Sequence, residues 1–340
     1  MGDHVLDQND IIRDVDNDIA YVVKLVFLVS LYPMVGVFGV GTNIVNVLVF
    51  CQHGIDDTVN VTLAALAMAD IGSLFAIIFL GLCYNPLFFN LDVSFHSSEA
   101  AYLLAGMPRL CFSRIINLIV AFVTLEQCLC VRFPLRVKTM ITPRRAVTVL
   151  VSIFTSMIAS ISPIYFSTNL AWKTYRNRGN KSLLGLDFSN NRREIDQWTF
   201  ALGSVFGWFS FLLVFVCSID LIFSLRRYQH FRKTSTTQSS NTSTRRDARV
   251  GKMVVVLSLV FIVSFIPLNA IQMCKSTIPR FNKGSDIPNI YHITWSVAYL
   301  VEAINSSINI FVYFIMSSKF KQTTMNLFAR RWPLTGRSCQ

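Results

Sequence analysis

Met253-Val-Val-Val-Leu-Ser-Leu-Val-Phe-Ile-Val-Ser-Phe-Ile-Pro-Leu-Asn-Ala-Ile-Gln-Met-Cys274 runs for 22 residues without a charged side chain. A helix needs about 20 such residues to cross the ~30 Å hydrocarbon core of a bilayer. Working outward, the pattern recurs. Leu25 to Ile55 and Ala146 to Trp172 carry no charge, Thr58 to Leu91 carries only Asp70, and Gln197 to Leu225 carries only Asp220. Ile287 to Ser318 carries only Glu302, and the less apolar Glu99 to Arg132 holds Arg109, Arg114 and Glu126. Buried helices of water-soluble proteins rarely run so long without charge. The expected fold is an all-α membrane protein, a seven-transmembrane helix bundle. A short amphipathic eighth helix follows, in which Phe320, Leu327 and Phe328 sit among Lys319, Lys321, Arg330 and Arg331. The expected organisation is an acidic N-terminus over 1–20, a seven-helix domain over 21–328 and a tail over 329–340.

Composition agrees. Of 340 residues 53% are apolar and 15% charged, with mean hydropathy +0.49, whereas a soluble domain is about 25% charged. The net charge of +12 does not indicate nucleic acid, because proteins that bind it combine a basic balance with a high total charge. With the N-terminus outside, 18 Lys and Arg fall on the cytoplasmic side and 12 on the outer side, the direction of the positive-inside rule. The first 20 residues hold six Asp against one Arg, unlike the basic start of a secretory signal. The sequon Asn180-Lys181-Ser182 then lies on the outer side, where a glycan can be added. The chain is expected at the plasma membrane as a multi-pass protein. No metal-spaced His/Cys cluster, phosphate-binding glycine loop or nucleophile elbow occurs, so no enzyme is expected.

Polar residues inside a bilayer are costly and mark function, unless they merely bridge helices or face a water-filled gap. Asp70 stands in Leu63-Ala-Ala-Leu-Ala-Met-Ala-Asp70. Asn305 and Asn309 are four apart on the seventh span and so share a face, and Asn43 stands in the first.

These stretches resemble the rhodopsin-like (class A) G-protein-coupled receptors over about Tyr21 to Phe328. Asn43 is similar to the family's first-helix Asn, and the run ending at Asp70 to its second-helix motif. Leu125-Glu126-Gln127-Cys128 with Phe133-Pro134-Leu135 resembles the acid-Arg-Tyr motif and the following Pro-Leu. Phe261-Ile-Val-Ser-Phe265-Ile-Pro267 resembles the sixth-helix FxxCWxP, and Asn309-Ile-Phe-Val-Tyr313 resembles NPxxY. Ile141-Thr-Pro-Arg-Arg145 is similar to invertebrate chemosensory and orphan peptide-type receptors. Departures are equally plain. Gln127 replaces the motif Arg, Tyr102 the outer third-helix Cys, Phe265 the sixth-helix Trp and Ile310 the NPxxY Pro. The absence of Cys between Val131 and Val216 removes the usual disulfide to the second outer loop, leaving Cys83, Cys111 and Cys274 to pair otherwise or not at all.

The resemblance implies an extracellular small molecule or peptide as ligand, a heterotrimeric G protein inside and no organic cofactor. A seven-span transporter or channel is the alternative, but inverted repeats and paired broken helices are not evident. Asp70, Asn305 and Asn309, with Asn43 in the same polar network, match the family's sodium cluster, in which Ile116 replaces one oxygen ligand. Pro267 is expected to bend the sixth helix, with Phe261 and Phe265 repacking as its inner end moves. Asp247 stands where the family places the acid that pairs with the missing Arg, so Gln127 offers only a neutral hydrogen bond. Glu126 and Tyr313 complete the activation motifs. Arg109, Arg114, Glu302 and Phe265 are the ligand-site candidates: Arg109 suits a ligand carboxylate, or alternatively Arg109 or Arg114 forms an internal pair with Glu302. Residues 234–244 carry nine hydroxyls in eleven positions between basic flanks, a kinase and arrestin segment or a solvated linker. Cys339 is a lone candidate for lipidation.

Overall fold

The computed structural model describes residues 17–54, 57–89, 93–133, 140–175, 180–234, 242–278 and 288–331. Among these, seven helices are long and apolar enough to cross a membrane. They are α1 (Asn17–Gln52), α2 (Thr58–Tyr84), α3 (Ser97–Arg132), α4 (Pro143–Phe166), α5 (Arg192–Thr234), α6 (Thr242–Thr277) and α7 (Pro288–Met316). An eighth, α8 (Ser318–Arg331), follows after Ser317. Among the described residues the helices extend from Asn17 to Arg331. The acidic segment 1–16, Pro134 and Leu135, residues 235–241 and Cys339 lie outside the described residues, as does the side chain of Asp247.

Local chemistry sets the helix limits. Asp57 caps α2 by accepting from the Val59 amide, and Thr142 caps α4 by accepting from Arg145. Pro86 stops α2 at Tyr84, short of the expected Leu91, because a proline ring excludes the preceding turn. Pro33 and Pro108 cannot donate to the turn before them, and a widened π-helical turn, Leu25–Leu31 or Tyr102–Gly106, precedes each.

The fourth span requires a larger correction. It ends at Phe166 rather than Trp172, and Thr168–Tyr175 forms strand β1, paired antiparallel with β2 (Lys181–Phe188). Three residues before the end, Pro163 weakens the helix, and the Ser167 and Thr168 hydroxyls then bond the Ile164 carbonyl at 3.0 and 2.7 Å. Asn180 adopts the left-handed conformation (φ 59°) just before β2.

Helix α3 is central, packing on α2, α4, α5 and α6, while α1 closes the ring against α2 and α7. Exposed apolar side chains such as Val151, Ile158, Phe209 and Phe223 point outward from α4 and α5. In a bilayer this is the lipid face, whereas in water so large an apolar surface would aggregate. Phe320 anchors α8 to the bundle, its ring 5.4 Å from Phe50 and 5.5 Å from Tyr313, while Met325 and Phe328 are left exposed.

Candidate functional site

At the hairpin end, a half-open cavity of about 90 Å³ lies among α1, α2, α3, α5, α6 and α7. Its wall is aromatic: Tyr32, Tyr84, Tyr102, Tyr291, Trp295 and Tyr299 all line it, with Lys275 and His292 and with no carboxylate among the described residues. Tyr291, Trp295 and Tyr299 recur every four residues, so one face of α7 presents all three. That spacing is legible in the sequence.

The ligand-site candidates lie behind this wall. Arg109 and Glu302 form a buried ion pair at 2.9 Å between α3 and α7. Arg109 also donates to the Tyr299 carbonyl at 3.0 Å and to the Ser73 hydroxyl at 2.5 Å, and its guanidinium lies 4.9 Å from the Tyr299 ring centre. Of the two roles open to Arg109, the geometry displays the internal pair. Arg114, 2% exposed, faces α4 and α5, donating to the Ser160 hydroxyl at 3.3 Å and the Thr199 carbonyl at 2.8 Å. Phe265 is fully buried and stacks on Phe261, the ring centres 4.4 Å apart. Pro267 stands inside α6 beside them. None of Arg109, Arg114, Glu302 and Phe265 lines the cavity.

A non-covalent clamp holds the hairpin to the bundle. All seven described cysteines are free. Glu99, near the start of α3, accepts the Leu186 amide at 2.6 Å and the Tyr175 hydroxyl at 2.9 Å. Burial, with help from Glu99, pushes the Tyr175 hydroxyl up to about 12, so it stays protonated and donating at neutral pH. Gly185 is required here, since a Cβ at that position would collide with the Tyr175 hydroxyl. Ser94 and His96 bond the Leu184 backbone at 2.8 and 3.0 Å. From α5, Arg192 donates to the Ile164 carbonyl at 2.7 Å and to the Tyr102 hydroxyl at 3.0 Å, joining α3, α4 and α5. Tyr102, which occupies the missing Cys position, is thus one post of the clamp. Neither Glu99 nor Arg192 was singled out from the sequence: the partners of Glu99 lie in an unforeseen hairpin, and Arg192 reaches the end of α4 and the Tyr102 hydroxyl of α3.

Midway along the bundle, Asn309 donates to Asp70 at 3.0 Å, and Asn43 donates to the Ser306 carbonyl at 2.8 Å. Asn305 is buried one turn away and hydrogen-bonds to neither Asp70 nor Asn43. Asp70 Oδ1 is buried without a hydrogen-bond partner, an acceptor suited to a small cation, whereas Ile116 supplies no oxygen.

At the α8 end, Glu126 accepts from Thr58 in α2, and Gln127 is buried with no hydrogen bond among the described residues. Thr124 and Ser258 share the one hydrogen bond, 3.0 Å long, between side chains of α3 and α6 among the described residues. Arg132 pairs with Asp220 of α5 at 2.8 Å, and Cys128 donates to the same carboxylate at 3.1 Å. Arg249, at the entry of α6 into the span, donates to Ser318 of α8 at 2.7 Å. The resemblance pointed to Asp247, whose side chain lies outside the described residues, and not to Arg132, Asp220 or Arg249.

A seven-helix bundle with a buried polar axis, an aromatic cavity at one end and an amphipathic helix at the other is the architecture of a multi-pass membrane receptor. Residues 30–331 match the family described as serpentine type 7TM GPCR chemoreceptor Srw. The chain belongs to that family of G-protein-coupled receptors. It is also similar to galanin receptor type 2 of Mus musculus, 24% identical over 225 residues. That alignment covers 64% of this chain, and the chain spans only 56% of that relative's length.

Proposed function

We propose that the chain sits in the plasma membrane with its N-terminus and hairpin outside, binds an extracellular ligand in the aromatic cavity, and activates a heterotrimeric G protein at the α8 end. The observation that carries the reading is the cavity's position: Tyr299 lines it, and the Tyr299 carbonyl is held by Arg109, which pairs with Glu302. A ligand that moves Tyr299 therefore acts on the α3–α7 tie. The volume of about 90 Å³ is below the ~300–1,000 Å³ usual for ligand pockets, which favours a small ring-bearing molecule. The chemoreceptor family supports that choice. A peptide inserting one aromatic side chain is the second reading, favoured by the likeness to a galanin receptor.

Asp70 and Asn309 would hold sodium in this proposal, and the ion would neutralise the buried carboxylate. Residues 234–244 would be the kinase and arrestin segment. The deciding experiment is nucleotide exchange on a purified G protein by the full chain in lipid nanodiscs, screened against separate metabolite and peptide libraries. The expected result is accelerated exchange with a small aromatic compound, lost in Trp295→Ala. Exchange unchanged by every compound in both libraries overturns the reading. Orientation is tested separately by endoglycosidase treatment of the cell-surface protein, which shortens it if Asn180 is outside.

A further inference from the structure

Two arginines lie five positions apart on α3, both almost fully buried, and only one is neutralised. Arg109 meets Glu302 at 2.9 Å. Around Arg114, no acidic side chain comes within ion-pair distance among the described residues. Its partners are neutral oxygens, and its Nε has none. A cation removed from water at membrane depth, with neutral oxygens for company, has lost hydration without gaining an opposite charge. The site is nevertheless made for it. Ser160 donates its own proton to the Met157 carbonyl, leaving a lone pair toward the guanidinium. A Cβ on Gly203 of α5 would collide with the guanidinium, so any larger residue there would have to displace it.

Arg114 also lies next to the cavity. It is one helical turn beyond Leu110, and it bonds the carbonyl of Thr199, the neighbour of Phe200. Leu110 and Phe200 both line the cavity. Phe200 is itself packed edge-on to Trp295, ring centres 6.3 Å apart, with the Lys275 ammonium 3.5 Å from its ring centre. The wall next to Arg114 thus carries an aromatic ring, with Arg114 behind it, and no carboxylate among the described lining residues.

We infer that Arg114 is a latent anion site, which receives the carboxylate of a small ring-bearing ligand when Phe200 swings aside. This rests on the cavity being the ligand site and adds the ligand's charge. A carboxylate matches the planar guanidinium fork and supplies the missing charge, while the aromatic wall takes the ring. Arg109 cannot serve in the same way without abandoning Glu302.

The test uses the full chain in nanodiscs, and its readout is the thermal midpoint, which requires no G protein. The probes are phenylacetate, 3-phenylpropionate and 4-phenylbutyrate, each against its primary amide, with sodium chloride as a separate arm. At least one acid should stabilise the native chain at a concentration tenfold or more below its amide. Arg114→Gln should abolish that preference, and Arg114→Lys should keep part of it. Without any probe, Arg114→Met should raise the midpoint, because it removes an uncompensated cation. Equal shifts with acid and amide, the whole shift reproduced by chloride, or a lowered midpoint in probe-free Arg114→Met would each overturn the proposal. Nucleotide exchange by the native chain is read in parallel. Exchange driven by a neutral library compound, with no acid preference in the midpoint, overturns the anion site and leaves the receptor reading standing. Acid preference without exchange supports the anion site and counts against that reading.

Discussion

At its hairpin end α3 carries Glu99, Tyr102 and Arg109, which join it to the hairpin, to α5 and to α7 through charged or multiply bonded groups. At its α8 end it carries Thr124, Glu126, Gln127 and Arg132, whose ties among the described residues are a neutral hydrogen bond to α6, a hydroxyl from α2, none, and an exposed ion pair to α5. A helix fixed at one end and loosely tied at the other can transmit a displacement, because the fixed end defines a pivot and the loose end moves. The contrast also shows how this chain manages without a disulfide between α3 and the hairpin. Several hydrogen bonds from buried or half-buried groups do the positioning.

The contrast predicts the largest effect at Arg109 and Glu302. Glu302→Ala strands a buried guanidinium, and breaking such a pair from one side costs about 3–5 kcal/mol. The thermal midpoint and surface expression should collapse in that variant. They should recover in Arg109→Met combined with Glu302→Leu, where neither charge remains. Single losses that simply add in the double variant would remove the pair from the list of ties.

The clamp comes next. Glu99→Ala leaves the Leu186 amide and the Tyr175 hydroxyl without their acceptor, at about 1.5–3 kcal/mol for each bond to a charged group. Amide exchange over residues 181–188 should quicken by tenfold or more, and Gly185→Ala should reproduce it by displacing Tyr175. The native chain should keep its midpoint in reducing agent, since its described cysteines are already free. A midpoint that falls on reduction would show a covalent tie and defeat the account.

How far these two ends were legible differs for a physical reason. Uncharged runs specify membrane helices almost by length alone, so the seven spans and the polar positions Asp70 and Asn309 were all visible in sequence. That Glu302 would need an arginine of α3 was also visible, because an unpaired charge there is so costly, but the choice of Arg109 over Arg114 needed the structure. The hairpin was not visible. Trp172 and Leu170 extend the apolar run of α4, and only the capping by Ser167 and Thr168 with Arg192 decides that the chain turns to strand at Thr168. Clamp residues bond to backbone, which has no sequence signature. Likewise the Arg132–Asp220 pair spans 88 positions, and neither residue belongs to a motif of the family it resembles.

Gln127→Arg tests the loose end with a smaller expected effect. An Arg at this buried position, beside Glu126, adds a cation able to make the charge-assisted bonds that Gln cannot, each about twice as strong as a neutral one. Basal nucleotide exchange should fall several-fold, with the ligand response retained. Unchanged basal and stimulated exchange would mean that the neutral residue here does not set the resting balance.

The smallest effect is expected at Arg132 and Asp220, and it sharpens the comparison most directly because this pair has the same chemistry as Arg109–Glu302 in a different setting. Arg132 is 59% exposed and Asp220 31%, so water and salt screen the attraction, and exposed pairs contribute about 0.2–1 kcal/mol. A double-mutant cycle with Arg132→Gln and Asp220→Asn should give a coupling in that range that shrinks further at high salt. Cys128 complicates the Asp220 arm, since its thiol donates to the same carboxylate. Asn keeps one acceptor oxygen for it, which is why Asn is the better replacement than Ala. Should the coupling instead approach that of Arg109–Glu302, the α8 end would be locked as firmly as the hairpin end. The pivot drawn from the difference between them would then have to be abandoned.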